Sequence, residues 1–370
     1  MADQHETQRI ARLTPLDDVL ARIAELVSPV QPRSMGIAAA RGRVLAEDLV
    51  GGPCPAAAMA LRDGWAVNSA LTSDAGPYTP APLPAAVLID VGEPLPAGTD
   101  AVVPFDAVIG RDARYEALAP VAPGEGVLVA GADIRAGSIL RRAGERLRDV
   151  DIAVLSTAGI AQVMVREPII RVVTSRAQGD ARLAVTRGLI TRFIGAEGSA
   201  AQTDTRDLEA ALEDESADAV VVIGGTGSGR EDTSVHTLAR IGRVEAHGIA
   251  LAPGQTAAFG VAGSKPVLLV PGRLDSALVV WLTIGRFLLG RLSVTNERER
   301  TTVVALTRKI ASALGMVEVV PVRCRDGGAE PIASGYLPAQ AIAQADGWIL
   351  VPADIEGYPA REEVMVRPLP

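Results

Sequence analysis

Apolar residues three and four positions apart predict an amphipathic helix near the N-terminus. They are Leu16, Val19, Leu20, Ile23 and Val27. Thr14 precedes them as a candidate N-cap, because a threonine hydroxyl can accept a backbone N–H of the first turn. A second short helix is predicted over 41–50, and the apolar run of 150–159 predicts a helix that returns to the same block. These segments indicate an N-terminal helical linking domain, 8–52 with 140–167.

The segment between those two parts has a different pattern. From residue 53 to about 130, prolines and glycines are dense, and short apolar runs such as AAVLIDV and GVLVA alternate with turns. Short runs between turn residues are typical of β-strands. The sequence therefore predicts a β-rich domain, 53–139, inserted into the N-terminal domain.

Strands and helices alternate over 168–293. The runs IIRVV, AVVVI and PVLLV are continuous apolar stretches of the kind that buried parallel strands show, and helical segments lie between them. This order predicts a doubly wound, mostly parallel sheet that binds ligands at the carboxyl ends of its strands. Four short strands after residue 297 predict a small β-barrel-like domain, 297–370. The fold class is multidomain α/β.

Composition narrows the classes of function. The formal net charge of −8 argues against general nucleic-acid binding. The two cysteines and three histidines show no metal-ligand spacing. The most hydrophobic stretch, 277–289, is shorter than a membrane span needs and contains Arg286, so a buried helix is expected. Because the N-terminus lacks an apolar signal core, we expect a cytoplasmic protein without a membrane partner.

A glycine-rich turn is the strongest candidate for a binding site. The stretch DAVVVIGGTGSGREDTSVHT predicts a strand over 220–223, a helix over 233–241 and a turn at their junction. The turn consists of Gly224, Gly225, Thr226, Gly227, Ser228 and Gly229. Glycines let backbone N–H groups approach an anion or phosphate closely, although a tight turn without a ligand has the same pattern. The spacing fits neither the dinucleotide-binding nor the P-loop motif.

A second turn follows the run PVLLV. Pro271, Gly272 and Arg273 stand at the predicted carboxyl end of that strand. Arg273 directly follows a glycine and is expected to bind an anion, whereas Arg176 is expected to be a solvated surface charge. Lysines are scarce, since Lys265 and Lys309 are the only two among 36 basic residues. Anion contacts would therefore have to come from arginines, hydroxyl groups and the backbone.

Several motifs in a fixed order resemble one family. The segments DGWAV, VGEPLPAGTDAVVPFD, DAVVVIGGTGSGRED, APGQTAAFG and ADGWILVP occur in the order of the MoeA/gephyrin E-domain family of molybdenum cofactor biosynthesis proteins. The resemblance implies a four-domain protein that forms a homodimer and works with other proteins of cofactor biosynthesis. It also implies a molybdopterin molybdenumtransferase, which uses Mg²⁺, takes adenylylated molybdopterin and molybdate as substrates and releases AMP.

The resemblance also implies roles for particular residues. Asp63, Asp204 and Asp232 are the implied catalytic residues, and Asp204 and Asp232 are the implied metal ligands. The two glycine turns would bind the pterin and the phosphates. Each aspartate also has a structural alternative: Asp63 can set a turn with Gly64, and Asp204 and Asp232 can cap the helices that follow them.

The chain departs from the family at positions that carry charge. Ala177 and Gln178 replace an acidic pair, and Ala252 and Gln255 stand where the family has lysines. Cleavage of a phosphoanhydride near molybdate gathers negative charge, which such lysines would stabilise. Three hypotheses therefore stay open: a molybdenumtransferase, a catalytically degenerate molybdopterin-binding or scaffold protein, and a protein that binds another anionic small molecule through arginines.

Overall fold

The chain folds into two compact units. The computed structural model describes residues 8–111, 114–175, 180–203, 208–297 and 299–370. The first unit contains the chain up to Ala46, Gly144–Arg148 and Met164–Pro370, and the second contains Glu47–Ala143 and Asp149–Val163. The second unit is thus inserted into the first along the chain. The finer four-domain boundaries stay a prediction.

The helices and strands have the following bounds. The helices are α1 Leu16–Leu26, α2 Asp149–Thr157, α3 Ala181–Ala196, α4 Leu208–Glu213, α5 Ser234–Ile241, α6 Leu274–Val280, α7 Arg286–Ser293 and α8 Ala339–Gln344. The strands are β1 Arg33–Gly36, β2 Val44–Leu45, β3 Leu49–Val50, β4 Met59–Ala60, β5 Gly64–Val67, β6 Ala81–Leu83, β7 Val87–Ile89, β8 Ala101–Val103, β9 Val108–Arg111, β10 Arg114–Ala117, β11 Val127–Leu128, β12 Ile139–Arg141, β13 Gln162–Arg166, β14 Ile169–Thr174, β15 Ala200–Thr203, β16 Ala219–Ile223, β17 Arg243–His247, β18 Leu251–Ala252, β19 Ala258–Ala262, β20 Lys265–Val270, β21 Thr302–Leu306, β22 Ile310–Ala311, β23 Val317–Arg325, β24 Gly328–Pro331, β25 Gly347–Val351, β26 Gly357–Tyr358 and β27 Glu363–Pro368.

The second unit is built mainly from short antiparallel strands, as its proline- and glycine-rich sequence predicts. Its two three-stranded sheets have the orders β7-β5-β8 and β6-β10-β9, and two further pairs join β11 to β4 and β12 to β3. α2 is its one α-helix among the described residues. This arrangement confirms the inserted β domain.

The first unit contains the predicted doubly wound sheet. Its strand order is β15-β14-β16-β20-β19-β17, in which the first four strands are parallel and β19 runs antiparallel to both of its neighbours. Val221 and Ile223 of β16 pack in a core with α1, α3, α6 and α7, whereas Val220 and Val222 pack in a second core with α4 and α5. Because both faces of the sheet are covered, β16 is apolar at every position.

A long helix follows β20. α6 continues through a π-helical segment, Trp281–Gly285, into α7. The Trp281 ring packs where a side chain at Gly285 would lie, since a Cβ there would be 2.4 Å from the ring. Leu274–Ser293 is long and apolar enough to cross a membrane, but 72% of its most apolar window is buried inside the protein. That burial is typical of a core helix, as the sequence predicts.

The C-terminal strands form a closed barrel. β23, β24, β21, β27 and β25 pair in that order, and β25 also pairs with β23. β18, which lies after β17 in the chain, adds to β23 in parallel. The barrel encloses its own core, which includes Val320, Val322 and Ile349.

Two local predictions are wrong. Residues 41–50 form no helix: Val44 and Leu45 are buried in β2 and pair with β13, a partner that local spacing does not reveal. Thr14 does not cap α1 either, because it forms a parallel bridge with Ile249, and Pro15 is the N-cap residue. In both cases pairing with a distant segment of the chain determines the local conformation.

Candidate functional site

A large pocket lies at the carboxyl ends of three parallel strands of the first unit. Its volume is about 1310 Å³. Ser175 follows β14, residues 224–227 follow β16 and residues 271–273 follow β20, and all of them line it. The turn 253–256 and the segment 335–337 complete the wall. The position is the one that a doubly wound sheet offers to a ligand.

The first glycine turn packs too closely for side chains. Gly224 and Gly225 have φ angles of +92° and +69°. A Cβ on Gly225 would lie 2.3 Å from the Ser234 hydroxyl oxygen and 2.7 Å from the Ser175 Cβ. The Ser234 hydroxyl donates to the Gly224 carbonyl at 3.0 Å. Glycine is therefore required here both by backbone conformation and by space.

Gln8 makes four hydrogen bonds with this turn and with α5. Its side-chain amide nitrogen donates to the carbonyls of Gly225 and Gly227, both at 2.9 Å. Its amide oxygen accepts from the backbone N–H groups of Val235 at 2.9 Å and of His236 at 3.1 Å. Gln8 is only 3% exposed. The sequence analysis missed this residue, since nothing in its neighbourhood marks a contact with a turn more than 200 residues away.

Three consecutive peptide groups of the turn are held by side chains. The Thr226 carbonyl is 3.0 Å from His247 Nε2, which must carry the proton because a carbonyl only accepts. The Thr226 hydroxyl is 3.1 Å from that of Thr256. Within the described part of the chain, the backbone N–H groups of residues 225–228 donate to no protein group. They are the donors that the turn leaves for a ligand.

Asp232 folds back on the turn. Its Oδ2 accepts the Gly229 N–H at 3.0 Å, and a Cβ on Gly227 would lie 2.8 Å from the same oxygen. The alternative role as a helix cap is wrong, because Thr233 is the N-cap residue of α5 and Gln8 supplies the side-chain acceptor. Asp204 lies outside the described residues. Among those that the structure describes, no three His, Cys, Asp or Glu side chains are grouped to hold a metal.

The second turn carries an ion pair. Arg273 Nε and Nη2 donate to the two carboxylate oxygens of Asp275, at 3.1 and 2.9 Å. The guanidinium also lies 5.0 Å from the centroid of the Tyr336 ring. Burial raises the pKa of Asp275, but the bonds from Arg273 and from backbone N–H groups outweigh it, and the net pKa is below the usual value. Arg273 is therefore a partly neutralised cation. Arg176 lies outside the described residues, and Arg230, which follows the first glycine turn, is exposed.

The pocket has few positive charges for an anionic ligand. The charged residues that line it are Asp180, Arg182, Asp232, Arg273 and Asp275. Asp180 caps α3 by accepting the N–H of Arg182 at 2.9 Å. Lys265 lies at the start of β20, where its Nζ donates to the Leu212 carbonyl at 3.0 Å. The described lining thus holds three carboxylates and two guanidiniums.

Asp63 lies in the second unit. Its Oδ1 accepts the Val91 N–H at 2.7 Å, and a Cβ on the adjacent Gly64 would lie 2.0 Å from the Val103 carbonyl oxygen. These contacts fit the alternative in which Asp63 sets a turn with Gly64. Its catalytic role stays a prediction.

The structure brings most of the predicted binding residues together. Those that line the pocket are Gly224, Gly225, Thr226, Gly227, Asp232, Pro271, Gly272 and Arg273. Ser228 and Gly229 continue the same turn at exposed positions. Asp180, Thr256 and Tyr336 line the pocket without having been singled out. Thr256 stands in the quoted segment APGQTAAFG and could have been found there, whereas Tyr336 comes from a distant loop with no such signal.

A doubly wound domain with a glycine turn above its central strand defines a class of ligand-binding α/β proteins. Comparison with known proteins gives the family. Residues 14–159 match the family model "MoeA N-terminal region (domain I and II)", residues 199–291 match "Probable molybdopterin binding domain", and residues 303–369 match "MoeA C-terminal region (domain IV)". The chain belongs to the MoeA family of molybdenum cofactor biosynthesis proteins.

Individual relatives are similar to this protein over most of the chain. Molybdopterin molybdenumtransferase 1 of Mycobacterium tuberculosis is 26% identical over 92% of this chain and 95% of its own. Molybdopterin molybdenumtransferase of Haemophilus influenzae is 26% identical over 75% of this chain and 77% of its own. A crystal structure of the molybdopterin biosynthesis MoeA protein from Pyrococcus horikosii superposes with a TM-score of 0.74 at 26% identity, covering 96% of this chain and 99% of that one.

Proposed function

We propose that this protein binds a molybdopterin species in the pocket at the carboxyl ends of β14, β16 and β20. The observation that carries the proposal is the row of backbone N–H groups at residues 225–228, which have no acceptor among the described residues and lie within the segment that matches a molybdopterin-binding domain. Backbone N–H groups at a strand end bind phosphate groups well, since they supply several donors without a side chain in the way. The volume of the pocket, about 1310 Å³, is ample for a nucleotide-sized ligand.

The first candidate activity is molybdate insertion into adenylylated molybdopterin with release of AMP. It is supported by family membership and by the name of the Mycobacterium tuberculosis relative, molybdopterin molybdenumtransferase 1. In this activity, the turn would bind a phosphate and Arg273 would face the developing negative charge. Asp63, Asp204 and Asp232 are the proposed catalytic residues, and Mg²⁺ would depend on ligand phosphates and on Asp204 and Asp232.

The second candidate is binding of molybdopterin or of the finished cofactor without insertion. It is favoured by the ion pair of Arg273 with Asp275, which neutralises a cation of the pocket, and by Ala252 and Gln255 at the family's lysine positions. Preorganised positive charge is usually the largest contribution to the rate of such a reaction. A pocket that lacks preorganised positive charge would still bind the ligand but would catalyse its conversion poorly.

One assay separates the two candidates. The full chain is incubated with adenylylated molybdopterin and magnesium, with and without molybdate, and both ligand binding and AMP release are measured. Molybdate-dependent AMP release is expected for the first candidate, and binding without release for the second. The proposal is wrong if the protein neither binds nor cleaves the compound.

Three accompanying proposals rest on the resemblance. Light scattering during size-exclusion chromatography should give the mass of a homodimer, and the mass of a monomer would contradict this proposal. A requirement for Mg²⁺ would appear as loss of AMP release in EDTA and its return with added magnesium. Cell fractionation would test the cytoplasmic location. Partner proteins would be sought among the other proteins of molybdenum cofactor biosynthesis.

A further inference from the structure

The first turn of α5 is already bound by a side chain. An anion at a helix N-terminus binds the backbone N–H groups of the first turn. In α5, the N–H groups of Val235 and His236 donate to Gln8 Oε1, and the Ser234 N–H donates to the Gly225 carbonyl at 3.1 Å. A phosphate could use this helix end only by displacing Gln8, whose buried amide would then lose its partners at considerable cost. The glycine turn itself is therefore the better place for the anion.

The amide nitrogen of Gln8 fixes the direction of two peptide groups in the glycine turn. In a trans peptide, the carbonyl and the N–H of the next residue point in opposite directions. Gln8 Nε2 binds the carbonyls of Gly225 and Gly227, so the N–H groups of Thr226 and Ser228 point away from Gln8. His247 holds the peptide group between them through the Thr226 carbonyl.

We propose that Gln8 is a positioning residue, which occupies the α5 N-terminus in place of an anion and presents the turn's N–H groups to the ligand phosphate. This inference rests on the proposed binding function of the pocket. A side chain that only filled space would not need these hydrogen bonds. The Gln8 amide donates two hydrogen bonds and accepts two, which uses both of its N–H groups and both lone pairs of its oxygen.

Two variants test the proposal in the full chain. Gln8→Ala removes all four bonds, and Gln8→Glu keeps the acceptor for Val235 and His236 but places a second oxygen against the two carbonyls. Gln344→Ala is the matched control, because this exposed glutamine accepts a hydrogen bond from Arg323, far from the glycine turn in the chain. We expect Gln8→Ala to weaken binding of adenylylated molybdopterin about tenfold. Gln8→Glu should weaken it more at neutral pH and regain affinity as the pH falls, because a protonated carboxyl can donate to a carbonyl.

A second measurement does not depend on the ligand. Amide hydrogen exchange of the ligand-free protein should speed up at Val235 and His236 in Gln8→Ala and should stay unchanged in Gln344→Ala. A wild-type protein that fails to bind would refute the proposed function, while this exchange experiment would still test the contacts of Gln8. Unchanged amide exchange in Gln8→Ala would overturn the positioning role. So would a lower Tm of Gln8→Ala with wild-type affinity, combined with an affinity of Gln8→Glu that does not depend on pH.

Discussion

The two ends of the doubly wound sheet use charged residues in different ways. At the amino end, the buried Arg171 of β14 forms an ion pair with Asp214, and Lys265 of β20 donates to backbone carbonyls that precede β16. At the carboxyl end, Arg273 pairs with the buried Asp275, but the arginine side chain is 66% exposed and faces the pocket.

The difference leads us to expect that the amino end contributes mainly to stability and the carboxyl end mainly to the proposed ligand binding. At the amino end, the Arg171 guanidinium and the Lys265 ammonium each bind near neighbours within the fold. At the carboxyl end, the backbone N–H groups of residues 225–228 have no acceptor in the described part of the chain, and the Arg273 side chain is mostly exposed. Substitutions at the amino end should therefore change the free energy of unfolding, and those at the carboxyl end should change ligand affinity.

The largest effect is expected from one added methyl group. Gly225→Ala places a Cβ against Ser234 and Ser175 at a positive φ, so the turn must shift and ligand affinity should fall roughly a hundredfold, or about 2.7 kcal/mol. Gly263→Ala is the control, because Gly263 lies between β19 and β20 at the amino end of β20, with φ +62° and no atom within 4 Å of its Cβ. It should keep wild-type affinity. Equal losses in calorimetric titrations of both variants would refute the comparison.

A substitution at the amino end should have the opposite profile. Arg171→Leu leaves the Asp214 carboxylate without its main cation, and the Tm should fall by roughly 5 °C or more. Arg240→Leu breaks an exposed pair with Glu209 and should change the Tm by less than about 2 °C. Both variants should bind the ligand as the wild type does. A loss of affinity in Arg171→Leu that exceeds its unfolded fraction would show that the two ends are not independent.

Arg273→Ala should lower ligand affinity about tenfold, since a charge-assisted contact contributes roughly 1.5 kcal/mol. The Tm should change little, because the side chain is mostly exposed, although the pKa of Asp275 should rise once its main hydrogen-bond donor is gone. Arg240→Ala provides the matched loss of an exposed, paired arginine. If affinity measured by titration at constant ionic strength is the same in all three proteins, Arg273 has no part in binding.

These predictions also show what sequence alone can establish. Local apolar runs predicted β16, α5 and the buried helix over 277–289, because each pattern lies within one continuous stretch of the chain. The contacts of Gln8 could not be predicted, since they join residues more than 200 positions apart. The wrong helix over 41–50 has the same cause, as β2 depends on pairing with β13. The pairing of Arg273 with Asp275, two residues apart, was within reach of the sequence but was not considered.

The smallest effect concerns acid stability at the amino end. The Ser216 hydroxyl and backbone N–H, followed by the Arg171 charge, lower the pKa of Asp214 from 3.8 to about 2. A depressed carboxyl pKa contributes stability above its unfolded value, and this contribution is lost as the pH falls from about 4 towards 2. Ser216→Ala should therefore reduce the slope of unfolding free energy against pH in that window, as measured by urea titration. An unchanged slope would refute the assignment.

The most direct test of the binding end is a crystal structure of the protein with adenylylated molybdopterin. We predict density for the compound at the carboxyl ends of β14, β16 and β20, with a phosphate oxygen within hydrogen-bond distance of the N–H groups of Thr226, Gly227 and Ser228. Gln8 should keep its four hydrogen bonds. A ligand bound elsewhere, or a phosphate that displaces Gln8 from the first turn of α5, would contradict this account.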